Sequence, residues 1–144
     1  MPVSDEDTLG LIFPILPHHL RRFFEDQKKV FVKFVGRGLS PRKLQSSSRL
    51  FFYESGSNKE IVGEARIIEM TTGIAEEVLT KYGKDLFLTP NELEVYVGDR
   101  KAQRMLVLIL KDAKRYQVPL RVHKGLTMAG QYMTRAMYQK LSAT

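Results

Sequence analysis

Two periodicities of hydrophobic residues alternate along this chain, and together they predict a sheet with helices packed beside it. Stretches rich in β-branched and aromatic residues predict strands, whereas apolar residues that recur every three or four positions predict helices. The predicted strands cover residues 30–35, 49–54, 61–70, 105–116 and 120–123. The predicted helices cover residues 18–26, 73–82, 90–97 and 127–141. This order predicts an α+β fold in which a small mixed or antiparallel sheet curls toward a barrel.

Start and stop signals support several of these elements. Thr89, Pro90 and Glu92 are typical of a helix start, with a threonine cap, a proline at the first position and a glutamate three residues after the cap. The polar segment 55–59 has the length of a hairpin turn, so the strands on either side of it are expected to pair antiparallel. The apolar run 105–110 is typical of a central strand that is buried on both faces.

The N-terminal part of the chain is expected to precede the sheet. Residues Ile12 to Leu16 are apolar, but Pro14 and Pro17 make a helix there unfavourable, so this segment is predicted to be extended. We predict one domain, 1–144. Within it, residues 1–29 form an N-terminal extension with a helix, and residues 30–144 form the curled sheet with its helices.

Composition excludes several classes of site. The chain has no cysteine and three histidines, two of them adjacent, so we predict no metal centre, no cofactor and no redox chemistry. Adjacent histidines are expected to point in different directions on a helix. No apolar run approaches the roughly 18 residues of a membrane span, and the acidic start is unlike a secretory signal. We therefore expect a cytoplasmic protein that does not enter the membrane.

The net charge of +7 is distributed unevenly. Residues 30–49 carry five bases and no acid, and residues 100–144 carry ten bases and one acid, whereas residues 50–99 carry more acids than bases. If the fold brings the two basic blocks together, one face becomes a site for a polyanion. This is the central hypothesis from the sequence.

The first basic block contains a glycine-rich loop that is expected to bind phosphate. Arg37, Arg42 and Lys43 lie on this loop before a predicted helical turn, where free backbone amides add to the positive charge. Its spacing is not that of a P-loop. Tyr53 is the best candidate for stacking on a base. A tyrosine packed at the edge of the core, with its hydroxyl hydrogen-bonded, is an equally good interpretation.

The second basic block is expected to complete the same surface. The residues predicted to contact nucleic acid are Lys33, Arg37, Arg42, Lys43, Arg49, Tyr53, Lys114, Arg115, Arg121, His123 and Lys124. No serine, cysteine or acid is placed to make His123 a catalytic base. Glu54 and Glu64 are a possible carboxylate pair, although Arg66 is an obvious ionic partner for one of them. We assign no catalytic residue.

Several motifs resemble those of the PUA-like superfamily, which includes the PUA, ASCH, EVE and YTH domains. The superfamily motifs are residues 50–55 (LFFYES) and 61–67 (IVGEARI). A more specific resemblance, to an uncharacterised archaeal family of that superfamily, spans nearly the whole chain and includes residues 12–14 (IFP), 31–34 (FVKF) and 126–132 (LTMAGQY). The resemblance implies a pseudo-barrel of mixed and antiparallel strands with flanking helices. It also implies a cleft beside the first loop that in relatives holds RNA or a modified base.

The resemblance favours an RNA-binding module over an enzyme. ASCH relatives include nucleoside amidohydrolases and ribonucleases with a GxKxxExR motif, and that spacing does not occur here. The alternative is an ASCH-like enzyme that acts on nucleic acid or on a modified nucleoside, using Lys33 or Lys43 with Glu54 or Glu64. A homodimer through the C-terminal helix, with Met128, Tyr132 and Met133 in its interface, is compatible with either function.

Overall fold

A computed structural model describes residues 8–35, 48–55, 59–122 and 131–142, which form a six-stranded sheet and four helices. The strands are β1 (Thr8–Ile15), β2 (Val30–Lys33), β3 (Arg49–Glu54), β4 (Glu60–Gly73), β5 (Met105–Arg121) and β6 (Gln131–Thr134). The helices are α1 (Pro17–Phe24), α2 (Ala75–Tyr82), α3 (Pro90–Val97) and α4 (Arg135–Ser142). None of these helices is long and apolar enough to cross a membrane.

The sheet is mixed, and it is not closed into a barrel. Its strand order is β2-β5-β4-β3-β1-β6, with β1 and β3 parallel and every other neighbouring pair antiparallel. Strands β1 and β2 do not pair, yet their side chains meet, because the rings of Phe13 and Phe31 lie 5.2 Å apart. The α+β class and the curled mixed sheet are therefore confirmed.

The sheet begins earlier in the chain than expected. Residues Thr8–Ile15 form a strand between β3 and β6 instead of an extension outside the sheet. Gly10 allows this strand to approach β3, because a Cβ atom at this position would clash with the backbone carbonyl of Arg49, its partner in the ladder. Pro14 excluded a helix as predicted, but it does not prevent strand pairing with Tyr53.

Strand β5 is one continuous strand, so the prediction of a separate strand at 120–123 was wrong. Its pairing with β4 passes from Gly63↔Arg115 to Ile61↔Leu120, which leaves several residues of β5 without a regular partner. Pro119 falls in this irregular stretch, where a strand tolerates a residue that has no N–H to donate. The proline therefore marks an irregularity in the strand and not a boundary.

The predicted C-terminal helix was wrong at residues 131–134. Residues Gln131–Thr134 form β6, which pairs antiparallel with β1, and α4 begins at Arg135. The Thr134 hydroxyl accepts a hydrogen bond from the backbone N–H of Met137 at 3.1 Å and so caps α4. The predicted cap, Thr127, lies outside the described residues. Met133 and Met137 are four residues apart, which is a helical spacing, but the first lies in β6 and the second in α4.

Hydrophobic side chains pack in two clusters. The larger one includes an aromatic group contributed by β1, α1, β2, β3 and the segment before α3: Phe13, Phe23, Phe31, Phe52 and Phe87. The second cluster contains Ile12, Phe51, Tyr53, Ile61, Val122, Met133 and Leu141, with Met137 and Tyr138 packed against it. Apolar residues of α4 thus pack within this chain, and the homodimer stays a prediction.

Candidate functional site

A pocket of about 550 Å³ lies between β1 and β2, two strands that do not pair with each other. The start of α1 and one side of α3 complete its walls. It is lined by Pro14, Ile15, Leu16, His18, His19, Phe31, Val32, Lys33, Phe87, Leu88, Asn91, Glu92, Val95 and Tyr96. Its volume falls within the range of about 300–1,000 Å³ that is usual for small-molecule sites.

Lys33 places a positive charge in this largely apolar pocket. Phe31 and Lys33 are two residues apart on β2 and so project from the same face of the strand. The Lys33 ammonium lies 5.8 Å from the centre of the Phe13 ring, and burial lowers the pKa of this lysine. Among the residues that the structure describes, no carboxylate or carbonyl oxygen binds the ammonium. An anionic or carbonyl group of a ligand would satisfy it.

The two adjacent histidines both face the pocket. Pro17 occupies the first turn of α1, which places His18 and His19 at the start of the helix. Their ring centres are 4.1 Å apart, so the expectation that they point in different directions was wrong. Both imidazoles are long enough to converge although successive side chains leave a helix about 100° apart. Burial lowers the pKa of His19, an effect that its hydrogen bond to Glu92 partly offsets.

Glu92 joins α3 to α1 at the edge of the pocket. Its Oε2 atom lies 3.4 Å from Nε2 of His19, and the Arg22 guanidinium binds both of its oxygens. Its carboxylate also accepts the backbone N–H of Thr89, as the predicted capping box requires. The hydrogen bonds from Arg22, together with those from Thr89 and His19, lower the pKa of Glu92 to about 2. This carboxylate is therefore ionised at any physiological pH.

Tyr96 lines the pocket, and its ring belongs to a stack with Phe34 and the Arg100 guanidinium. The backbone N–H of Phe34 donates to the Tyr96 hydroxyl at 2.9 Å, and the two rings are stacked 5.4 Å apart. The Arg100 guanidinium lies 3.9 Å from the centre of the Phe34 ring. Leu16 and Val95 line the pocket and are 46% and 83% exposed, so its mouth has an apolar rim.

The predicted basic residues that the structure describes lie outside the pocket, except Lys33. Arg49 is opposite Arg66, and Arg66 is opposite Lys111, so three basic residues form a row across β3, β4 and β5. We call Arg49, Arg66 and Lys111 the basic row. Lys114 of β5 lies opposite Glu64 of β4, and Arg121 of β5 lies opposite Glu60 of β4.

Of the two predicted contacts Arg115 and Tyr53, only Tyr53 is buried. Arg115 is exposed, with its guanidinium 4.6 Å from the centre of the Phe24 ring of α1, and it stays a predicted contact. Tyr53 is 6% exposed and belongs to the second core cluster, which matches the alternative interpretation of this residue. A ring that is buried in this way offers no face to a base, so we leave Tyr53 out of the site.

Five of the residues that were predicted to bring the two basic blocks onto one face lie in segments that the structure does not describe, so this part of the hypothesis stays a prediction. These residues are Arg37, Arg42, Lys43, His123 and Lys124.

The two carboxylates of the predicted pair lie away from the pocket. Glu64 does not pair with Arg66, as suggested, but accepts hydrogen bonds from Arg49 at 3.3 and 3.4 Å and from the Tyr116 hydroxyl at 2.9 Å. Neither Glu54 nor Glu64 lines the pocket.

Comparison with known proteins identifies the family and the fold. A family model described as a domain of unknown function, DUF365, matches residues 8–135. The chain belongs to the DUF365 family. An uncharacterised protein of Methanocaldococcus jannaschii is 26% identical to this DUF365 chain over 103 residues, which cover 65% of the chain and 95% of that protein.

Solved structures similar to the DUF365 chain include an ASCH protein from Zymomonas mobilis and a mutant of it. The mutant has a TM-score of 0.77 at 17% identity, with 95% of this chain and 96% of that chain covered. The unmutated ASCH protein has a TM-score of 0.76 at 15% identity, with 94% of each chain covered. At these identities the similarity shows the fold, which this chain shares with the ASCH protein as the resemblance in its sequence implied.

Sequence reasoning found Lys33 but missed most of the pocket. His18, His19, Glu92 and Tyr96 come from two helices more than 70 residues apart in the chain. The capping box identified Glu92 as a helix-start residue, but nothing in its sequence context indicated His19 as its neighbour. Pro17 did place the two histidines at a predicted helix start, but nothing in the sequence indicated that this start would lie beside α3.

Proposed function

We propose that this DUF365 protein binds single-stranded RNA and takes one base, ordinary or modified, into the pocket between β1 and β2. The observation that carries the proposal is the half-buried Lys33 ammonium in an aromatic-lined pocket, with no acceptor among the described residues. A nucleobase offers both groups that such a pocket needs, a flat apolar face and carbonyl oxygens at its edge. Single-stranded RNA presents such bases to proteins because they can leave the stack.

The charge of the chain supports a polyanionic ligand. The net charge of +7 and the basic row favour contacts with phosphates, which position a nucleic acid without reading its sequence. Arg37, Arg42 and Lys43 follow Lys33 closely in the chain, and we keep them as proposed phosphate contacts. Arg121, His123 and Lys124 belong to the same proposal.

Replacement of Lys33 by methionine tests the role of the pocket. Methionine keeps the apolar stem and removes the charge, so we expect the affinity for a short fluorescent single-stranded RNA to fall about tenfold or more, as for a hydrogen bond to a charged group. The matched control is Lys81→Met, because Lys81 is exposed on α2 and does not line the pocket. Equal affinity of the two variants would contradict the proposal.

Replacement of the basic row tests the phosphate contacts separately. Arg66→Gln and Lys111→Gln remove two exposed charges, so the slope of the logarithm of the affinity against the logarithm of the salt concentration should fall by about 0.7 for each phosphate that the variant no longer binds. Titrations of wild type and variants at several salt concentrations measure this slope. An unchanged slope would mean that the phosphates bind elsewhere on the chain.

An enzyme is the second candidate, and one observation favours it. Burial lowers the pKa of Lys33, which raises the fraction of neutral amine that can act as a base or nucleophile. Glu92 is the pocket carboxylate that such a mechanism would use, in place of Glu54 or Glu64. Incubation of the protein with modified nucleosides and with RNA, followed by mass spectrometry, distinguishes this candidate. Turnover that Lys33→Met abolishes supports it, and intact substrate after long incubation rejects it.

A further inference from the structure

We propose that His18, His19 and Glu92 form a binding site for a divalent first-row transition metal ion, such as Zn²⁺, on the wall of the pocket. The donor atoms of these three residues all lie within 4.8 Å of one another. Two imidazoles and one carboxylate are an established ligand set for zinc and for non-haem iron, and this set leaves coordination positions open. Composition alone predicted no metal centre, because adjacent histidines seemed unable to converge.

The separation of two of the donors already suits a metal ion. Zinc binds an imidazole nitrogen and a carboxylate oxygen at about 2.0–2.1 Å each, and a tetrahedral angle between these bonds places the two donors about 3.3–3.4 Å apart. Nε2 of His19 lies 3.4 Å from Oε2 of Glu92. An ion can therefore replace this hydrogen bond with little movement of either side chain.

His18 can complete the site by a change in its side-chain torsions. It is exposed, and its imidazole contacts only the ring of His19 among the interactions that the structure describes. Because the three donor atoms lie within 4.8 Å of one another, its donor atom needs to approach the other two by at most roughly 1.5 Å to reach the same tetrahedral separation. A surface side chain makes such a movement at small cost.

Arg22 fixes the carboxylate and limits the affinity. It binds both oxygens of Glu92 and also donates to the carbonyl oxygen of Phe87 at 2.8 Å, so it is held in place from two sides. Such an outer partner orients a ligating carboxylate. Because its positive charge also repels a cation, we expect binding that is weaker than that of a closed structural zinc site.

The position of the site determines which ligand the ion would accept. His18, His19, Glu92 and Lys33 all line the same pocket. An ion with open positions there would share the pocket with the Lys33 ammonium and could bind an anionic oxygen, such as that of a phosphate group. This further step rests on the proposed function, whereas the binding of the metal itself does not.

Metal titration of the chelator-treated protein tests the site without any nucleic acid. Calorimetry with Zn²⁺ and visible absorption with Co²⁺ should show one saturable site per chain. His18→Asn and His19→Asn should each weaken binding about tenfold or more, because each removes one of three protein ligands. His18→Asn is the decisive variant, since His18 is exposed and its replacement leaves the Glu92–Arg22 pair intact.

Two control variants make the outcome clear. Glu94→Gln removes an exposed carboxylate from the same helix, and His123→Asn removes the remaining histidine of the chain. Both should bind Zn²⁺ and Co²⁺ as the wild type does. Three results would overturn the proposal. They are the absence of a saturable site, unchanged metal binding in both His18→Asn and His19→Asn, and the loss of metal binding in His123→Asn. Failure of RNA binding would leave this result unaffected.

Discussion

Glu64 is a buried carboxylate, and the hydroxyl of Tyr116 is one of the groups that stabilise it. Burial, together with the adjacent charge of Glu64, raises the pKa of Tyr116, so the hydroxyl stays protonated and donates to the carboxylate. Tyr116→Phe removes this donor but keeps the ring. We expect the free energy of unfolding to fall by about 1.5–3 kcal/mol, the range for a hydrogen bond to a charged group.

Tyr82 offers a matched control for this measurement. Its hydroxyl is buried and has no partner at hydrogen-bonding distance within the described part of the chain, although the neighbouring Lys81 ammonium is close enough to interact with it electrostatically. Tyr82→Phe should therefore leave the stability unchanged or raise it slightly, because an unsatisfied polar group is removed. Urea unfolding of both variants gives the comparison. If Tyr82→Phe proves as destabilising as Tyr116→Phe, the assignment of the hydrogen bond at Glu64 loses its support.

Lys33 should leave a signature in the pH dependence of stability. Its pKa in the folded protein is below 10.5, its ordinary value, so between these two pKa values the unfolded chain binds more protons than the folded one. The free energy of unfolding therefore rises with pH in this window. Lys33→Met should lack this rise. Tyr96 and Tyr116, whose pKa values are raised, oppose it in both proteins, so the difference between wild type and variant isolates Lys33.

At the residue scale, the sequence predicted single side chains better than their partners. Lys33 was recognisable because it is the polar residue in a run of β-branched and aromatic ones. The pairing of His19 with Glu92 was not recognisable, because it depends on how α1 and α3 pack. Tyr53 had two equal interpretations, and only the packing of the second cluster distinguishes them.

At the element scale, Gly63 allows β4 to lie close to both β5 and the end of α1. A Cβ atom at this position would clash with the backbone carbonyl oxygen of Lys114 on β5 and would lie 2.6 Å from the Phe24 ring of α1. Gly63→Ala should therefore push the backbones of β4 and β5 apart and displace the Phe24 ring, and so reduce the free energy of unfolding by about 1–3 kcal/mol, as overpacking does elsewhere.

Gly73, at the end of the same strand, is the control for this change. A Cβ atom there would make ordinary contacts, the shortest at 3.4 Å to the Val78 side chain. Gly73→Ala should therefore be close to neutral in thermal or urea unfolding. Similar losses in the two variants would indicate a general effect of glycine replacement and would contradict the specific role of Gly63.

Local signals predicted elements well where the chemistry is local. The capping box of α3 is formed as its sequence indicates, with the Thr89 hydroxyl accepting the N–H of Glu92 at 3.2 Å. The signals failed where long-range pairing decides the structure. Residues 131–134 have the spacing of a helix, but their pairing with β1 makes them a strand.

At the scale of the whole molecule, the functional hypothesis depends on the opening between β1 and β2. These two strands do not pair with each other, and among the described residues the pairing of β1 with β6 ends at Ile12, so the pocket lies beside the end of β1 that follows. The sequence predicted a curled sheet and a cleft through its resemblance to the PUA-like superfamily. It did not predict the place of the opening, because this depends on the early strand β1, which was interpreted as an extension.

Photochemical cross-linking tests most directly whether RNA enters this opening. A short single-stranded RNA that contains 4-thiouridine would be irradiated with the protein, and mass spectrometry would locate the modified peptide. We expect cross-links to residues of the pocket wall, such as His18 or Tyr96, and their loss in Lys33→Met but not in Lys81→Met. Cross-links that lie only outside the pocket, or none at all, would contradict the account.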